Sequence, residues 1–143
     1  AGYTICNDVS ERRFQTKRNG QWVKGKSAET FGPIGPWLVT PDDIPDPNNL
    51  AMSLDVNGAR KQQGSTANMI FKIPELLAYV TEFMVLEPGD IITTGTPAGV
   101  GSAMKPPEYL QAGDVMTLQI EKLGLQRQQK ERGCPSASNQ KAV

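Results

Sequence analysis

Met52-Ser53-Leu54-Asp55-Val56-Asn57-Gly58 carries the reading that fixes the fold class. Apolar Met52, Leu54 and Val56 alternate with polar Ser53 and Asp55, the period of two that turns one face of a strand toward a core. Asn57-Gly58 supplies two residues that tolerate positive φ in a tight hairpin turn, so 59–63 is the expected return strand. Further along, Met116, Leu118 and Ile120 repeat the alternation after the turn Ala112-Gly113-Asp114. Asp90-Ile91-Ile92-Thr93 reads as a strand leading into a glycine-rich loop. On the amino side, Tyr3-Thr4-Ile5-Cys6 is strand-like, and Phe31-Gly32-Pro33-Ile34-Gly35-Pro36 is a rigid turn delivering the strand Trp37-Leu38-Val39. Pro41, Pro45 and Pro47 hold an extended surface connection. One helix is clear. It starts at Pro74, a residue suited to a first helical position, and Leu76, Leu77, Val80, Phe83 and Met84 form its apolar face. The pattern is a β-rich α+β domain with long loops.

The 143 residues suit one domain with its own core. Fifteen Lys and Arg balance fifteen Asp and Glu, so the basic surplus of a nucleic-acid binder is missing. Arg12, Arg13, Lys17 and Arg18 read as a solvated face. No apolar run nears the roughly 20 residues of a membrane helix, and no signal-peptide pattern is present. Cys6 and Cys134 lack Cys-x-x-Cys spacing, which supports neither a zinc knuckle nor a disulfide framework. A reducing cytoplasm is the expected location. Histidine is absent, which removes every Ser-His-Asp or Cys-His mechanism confined to this chain. Carboxylates, lysine, hydroxyls, amides or a hard metal ion are left to carry chemistry.

Three stretches qualify. Asp8, just past a strand and beside Asn7 and Ser10, either caps a turn or offers a carboxylate to a hard divalent ion. Gly20-Gln21-Trp22-Val23-Lys24-Gly25-Lys26-Ser27 formally matches a phosphate-binding loop. Its context fails, because no apolar strand precedes it and residues 31–36 forbid a following helix. Thr93-Thr94-Gly95-Thr96-Pro97-Ala98-Gly99-Val100-Gly101 is either a plain turn cluster or a loop whose amides and hydroxyls approach an anion.

Taken in order, Asn7-Asp8-Val9-Ser10-Glu11-Arg12 with Gln15, Gly25-Lys26-Ser27, residues 31–37, Met69-Ile70-Phe71 and residues 94–101 resemble the fumarylacetoacetate hydrolase family over residues 2–128. The resemblance implies a mixed β-sheet roll or sandwich of the family's catalytic-domain type, incomplete at its amino end. It implies magnesium, or manganese or calcium in its place, with Asp8 as a ligand and Lys26 and Thr30 adjacent. Lys26 and Gln15 are the implied catalytic residues; Arg12, Gln15 and Thr96 are the implied substrate contacts. The implied substrate is a small diketo or 2-oxo acid, and the complete protein is expected to be a homodimer.

Val9-Ser10-Glu11-Arg12, Lys105-Pro106-Pro107-Glu108-Tyr109-Leu110 and Gly124-Leu125-Gln126-Arg127-Gln128 resemble bacterial members that cleave acylpyruvates or 2,4-diketo-3-deoxy sugar acids. Many relatives have Ala and Asp where this chain has Glu11 and Arg13. The family's Glu-x-Glu metal ligands and its lid His and Glu have no counterpart in the sequence. The opening Ala1-Gly2-Tyr3 reads as a fragment or a processed end. Hydrolytic carbon–carbon cleavage is the expected reaction. Isomerase, tautomerase or decarboxylase chemistry is the alternative, as is a truncated, non-catalytic module. From Gln126 onward the polar sequence reads as a disordered tail, with the domain drawn at 1–128 and the tail at 129–143.

Overall fold

Six strands form in the computed structural model, which describes residues 1–132: β1 (Tyr3–Cys6), β2 (Ile34–Val39), β3 (Ala51–Val56), β4 (Ala59–Ser65), β5 (Val115–Ile120) and β6 (Gly124–Gln129). Two α-helices accompany them, α1 (Arg12–Lys17) and α2 (Ile73–Thr81). β1 pairs with β2, and a four-stranded sheet runs β4-β3-β5-β6. Every one of these ladders is antiparallel, and the β-rich α+β class is as expected.

The hairpin forms on the residues that signalled it. Asn57 and Gly58 both have positive φ, 52° and 79°, the two-residue turn whose twist suits the flanking strands. The register then slips by one residue between Leu54 and Asp55, a β-bulge, and β4 continues to Ser65. β5 shows the cleanest period of two. Its Met116 and Leu118 are buried and meet Ile5 of β1, together with Ile44, Leu50 and Leu123. Removing such side chains from water is worth about 1.5–3 kcal/mol each, and this cluster joins the two sheets.

Several expectations are corrected. The residues 31–36 are not all turn, because Ile34 and Gly35 already pair with Cys6 and Ile5. The connection through Pro41, Pro45 and Pro47 is not only surface, because the short 3-10 turn Pro41–Asp43 drives Ile44 into the core. The chain at 90–93 is not a strand, since no neighbouring segment among the described residues offers it a ladder. The polar stretch from Gln126 is strand β6 as far as Gln129, paired with β5 along its whole length. Of the expected tail, 133–143 lies outside the described residues.

Helix α2 begins at Ile73, with Pro74 in its first turn and the Glu75 carboxylate accepting from the Lys72 N–H at 2.9 Å. It ends at Thr81, so Phe83 and Met84 fall beyond it. None of its residues is buried. Tyr79 and Phe83 stack edge to face at 5.0 Å, and Ile70, Phe71, Leu77, Met84, Val85 and Ile91 are all exposed.

A polar clasp ties the hairpin to β5. Asn57 Oδ1 accepts from the Val115 N–H at 2.9 Å, and its Nδ2 donates to Asp114 Oδ1 at 2.9 Å. Asp114 Oδ2 accepts from the Gln111 N–H at 2.7 Å. The backbone bond from Gln111 foremost, then Asn57, holds the Asp114 carboxyl below its ordinary 3.8. A depressed folded-state value means that its contribution is fully present above the unfolded value and is lost as pH falls through the folded one. The melting-temperature difference between the native chain and Asp114→Asn is therefore expected to be largest near neutral pH and to close below 3.8. Thermal melts across that range test it, and a pH-independent difference would contradict the assignment.

Candidate active site

β1 hands the chain directly to the corner where the sequence gathers its chemistry. Asn7 is buried; its N–H donates to Pro33 O at 3.0 Å and its C=O accepts from the Val9 N–H at 2.8 Å. The second bond closes a three-residue turn with Asp8 at its centre, so the Asp8 carboxylate projects from a fixed point. Opposite it, Lys26 Nζ lies 2.7 Å from Asp8 Oδ2. With the two side chains 29% and 49% exposed, such a pair adds at most about 1 kcal/mol to stability. Its importance is positional.

Helix α1 supplies the next two residues. Glu11 caps it, accepting from the Arg13 N–H at 2.9 Å. Arg12 and Gln15 sit one turn apart, and Arg12 Nη1 donates to Gln15 Oε1 at 2.7 Å. Gln15 is completely buried, and its Nε2 has no partner among the described residues; the same is true of Ser10 Oγ. Leaving such a group unsatisfied costs about 1–3 kcal/mol, so this corner holds unspent hydrogen-bonding capacity. The Cys6 thiol lies close by. Burial, then the Asp8 charge, push its pKa up, with Lys26 opposing, which makes it a poor nucleophile.

Gly25 brings Lys26 to Asp8. Its C=O accepts from the Glu11 N–H at 2.8 Å, and a Cβ placed on it would lie 2.6 Å from Gln15 Cβ and 2.8 Å from Glu11 O. Only glycine lets the 3-10 turn Trp22–Gly25 lie flat on α1.

Thr96 is held from the β4 side. Gln62 Nε2 on β4 donates to Thr96 Oγ1 at 2.8 Å and to Pro97 O at 2.7 Å. Gly99 packs so closely on the Lys61 carbonyl that a side chain there would collide with it. The glycine-rich loop is thereby pinned to β4, and Lys61 Nζ reaches Glu108 at 2.6 Å beside it. The structure thus brings Asp8, Arg12, Gln15 and Lys26 together. No hydrogen bond among the described residues joins Thr96 to them, and Thr30 is exposed and equally unconnected. Two concavities, of 520 and 300 Å³, are lined by other residues altogether. No group of three His, Cys, Asp or Glu residues that could hold a metal occurs among the described residues. Asp8 alone does not fit a divalent ion that takes six or more oxygens.

Sequence reasoning missed the amides that fix this corner. Gln126 and Gln128 fall in the 124–128 stretch without a role of their own, although they stand two apart on β6 and so share a face. Gly25→Ala is expected to destabilise the chain by roughly 1–3 kcal/mol, the cost of overpacking a tight contact. Urea unfolding measures it, and an unchanged midpoint would mean that the 22–25 turn yields freely.

The chain matches the family described as fumarylacetoacetate (FAA) hydrolase C-terminal over residues 1–129. It is 58% identical over 130 residues to a 2,4-didehydro-3-deoxy-L-rhamnonate hydrolase of Sphingomonas sp. (strain SKA58), covering 90% of this chain and 46% of that protein. It superposes on the fumarylacetoacetate hydrolase of Exiguobacterium antarcticum with a TM-score of 0.87 at 46% identity, covering 91% of this chain and 46% of the other. The 2-hydroxyhepta-2,4-diene-1,7-dioate isomerase of Mycobacterium marinum aligns with a TM-score of 0.77 at 44% identity, covering 88% and 46%. The chain spans about half the length of the curated relatives it matches. Its match over residues 1–129 and its two-sheet architecture make it a member of the fumarylacetoacetate hydrolase family.

Proposed function

We propose that this chain provides the charged, substrate-facing corner of an enzyme that hydrolyses a carbon–carbon bond in a small diketo acid, an acylpyruvate or a 2,4-diketo-3-deoxy sugar acid. The observation that carries the reading is the Lys26 ammonium held 2.7 Å from Asp8 with Arg12 on the adjoining helix. A diketo acid offers a carboxylate and an enolisable dicarbonyl. The Arg12 guanidinium suits the carboxylate through charge-assisted hydrogen bonds. The Lys26 ammonium suits the oxygen on which enolate charge develops, and a fixed cation there acts only as that charge appears. Gln15, being buried, works from behind Arg12 by orienting its guanidinium. Thr96 is a hydroxyl donor brought to the substrate from the β4 side. The likeness to the Sphingomonas hydrolase, at 58% identity, supports a deoxy sugar acid as substrate.

Family members generally use a divalent metal. In this reading Asp8 gives one carboxylate to a magnesium-type ion flanked by Lys26 and Thr30, and the remaining ligands come from outside residues 1–132. The complete enzyme is proposed to be a cytoplasmic homodimer. A second reading, isomerisation of a related 2-oxo acid, is supported by the likeness to the Mycobacterium marinum isomerase; both reactions pass through the same stabilised enolate.

Joining residues 1–132 to the amino-terminal half of the Sphingomonas relative and following pyruvate release from acylpyruvates tests the proposal. Cleavage is expected, and Lys26→Met should lower kcat by roughly a hundredfold, the scale of losing one preorganised stabilising group. Melting should hardly change, because the ion pair is exposed. Full activity with lost stability would make Lys26 structural. Magnesium titrated into this chain by itself is expected to give little heat at millimolar concentration, one carboxylate being too few; tight binding would mean that other residues of the chain complete the ligand set.

A further inference from the structure

Behind Asp8 the four residues Asn7, Gln128, Gln126 and Gly35 are linked through their amides in one direction. Gln126 Nε2 donates to two main-chain carbonyls, Ile5 O at 2.9 Å and Gly35 O at 2.7 Å. Carbonyls only accept, so the orientation of this amide is forced, and its Oε1 faces the other way. Gln128 Nε2 donates to that Oε1 at 2.8 Å. Gln128 Oε1 is thereby turned toward Asn7 and accepts from Asn7 Nδ2 at 2.7 Å. Asn7 also makes a weaker contact to Met116 Sδ at 3.5 Å. Gln126 and Asn7 are each only 7% exposed and Gln128 between them is half-buried, so the chain of amides is largely shielded from water.

We infer that Gln126 and Gln128 of β6 are positioning residues for the Asp8–Lys26 pair, acting through the side chain of Asn7. Asn7 is the point of leverage because its own C=O closes the turn on which Asp8 sits. If its side chain rotates, the turn keeps its main-chain bonds to Pro33 and Val9 but loses its side-chain anchor on Gln128, and the direction of the carboxylate is less well fixed. Lys26, fixed independently through Gly25, stays behind. The polar end of the domain, which carries no apolar periodicity, thus aims a carboxylate that lies just past a strand of the other sheet.

The inference rests on the reading of Asp8 and Lys26 as the functional pair, but its test needs no turnover, so an inactive protein leaves the result intact. A carbodiimide joins a carboxylate to an ammonium only where the two are in contact, and peptide mass spectrometry quantifies the amide formed. The Lys61–Glu108 pair, at 2.6 Å and similarly exposed, serves as an internal standard in the same molecule. Gln128→Met removes both bonds, and the Asp8–Lys26 product is expected to fall roughly tenfold relative to Lys61–Glu108, as the loss of a buried hydrogen-bond partner implies. Gln128→Glu keeps the acceptor for Asn7 but sets an oxygen against Gln126 Oε1. Its yield is expected to be low at neutral pH and to return as acid protonates the introduced carboxyl, which then donates to Gln126 as the native amide does. An unchanged ratio in Gln128→Met overturns the inference. So does an equal loss at both pairs, which would make Gln128 only a fold residue, or a Gln128→Glu yield that ignores pH.

Discussion

Two sheets meet in this domain, and the seam between them is made of amides as much as of hydrocarbon. Ile5, Met116, Leu118 and Leu123 provide the apolar contact, which is non-directional and would tolerate some sliding. The carbonyls of Ile5 and Gly35 do not. Each accepts from the one buried Gln126 amide, and a buried amide that loses its partners costs about 1–3 kcal/mol. β6 can therefore lie against β1 and β2 in one register only. That register decides where β1 ends, hence where Asn7 turns the chain, hence where Asp8 points.

The legible parts of the sequence were those in which one residue type does one thing. Asn57-Gly58 adopts positive φ as its composition requires, and β5 alternates buried and less buried residues because one of its faces covers the core. Pro74 opens a helix. What resisted reading was burial achieved by hydrogen bonding. Gln126 looks like tail in any hydropathy plot, yet it is as buried as Leu118, because its amide is satisfied by carbonyls that lie far away in sequence. Ile91 and Ile92 mislead in the opposite sense. Their side chains suit a strand, but a strand exists only when a second one lies beside it. Of the candidate site, Asp8, Arg12, Gln15 and Lys26 could be named through a family resemblance. Their mutual arrangement depends on Gly25, whose role follows from a distance of closest approach that no local pattern records.

The placement of Gln15 changes how the corner is understood. A residue named as a substrate contact lies completely buried under the 22–25 turn, with its amide oxygen on Arg12 and its amide nitrogen without a partner among the described residues. Its amide oxygen holds the Arg12 guanidinium, which stays partly exposed. The ion pair of Asp8 and Lys26 is likewise modest as a source of stability and informative as geometry. Both cases separate what a residue contributes to folding from what it contributes to a site.

Helix α2 and the segments around it leave an apolar surface facing outward, from Ile70 and Phe71 through Tyr79 and Phe83 to Val85 and Ile91. Contiguous apolar patches of this kind associate in water. Charge repulsion between molecules is the usual opposing force, and here it is missing, since the net charge at pH 7 is zero and the isoelectric point is near 6.5. This surface is consequently where molecules of the isolated chain would associate. Raising pH well above the isoelectric point at low ionic strength gives the chain the net charge, and hence the repulsion, that it lacks near neutrality.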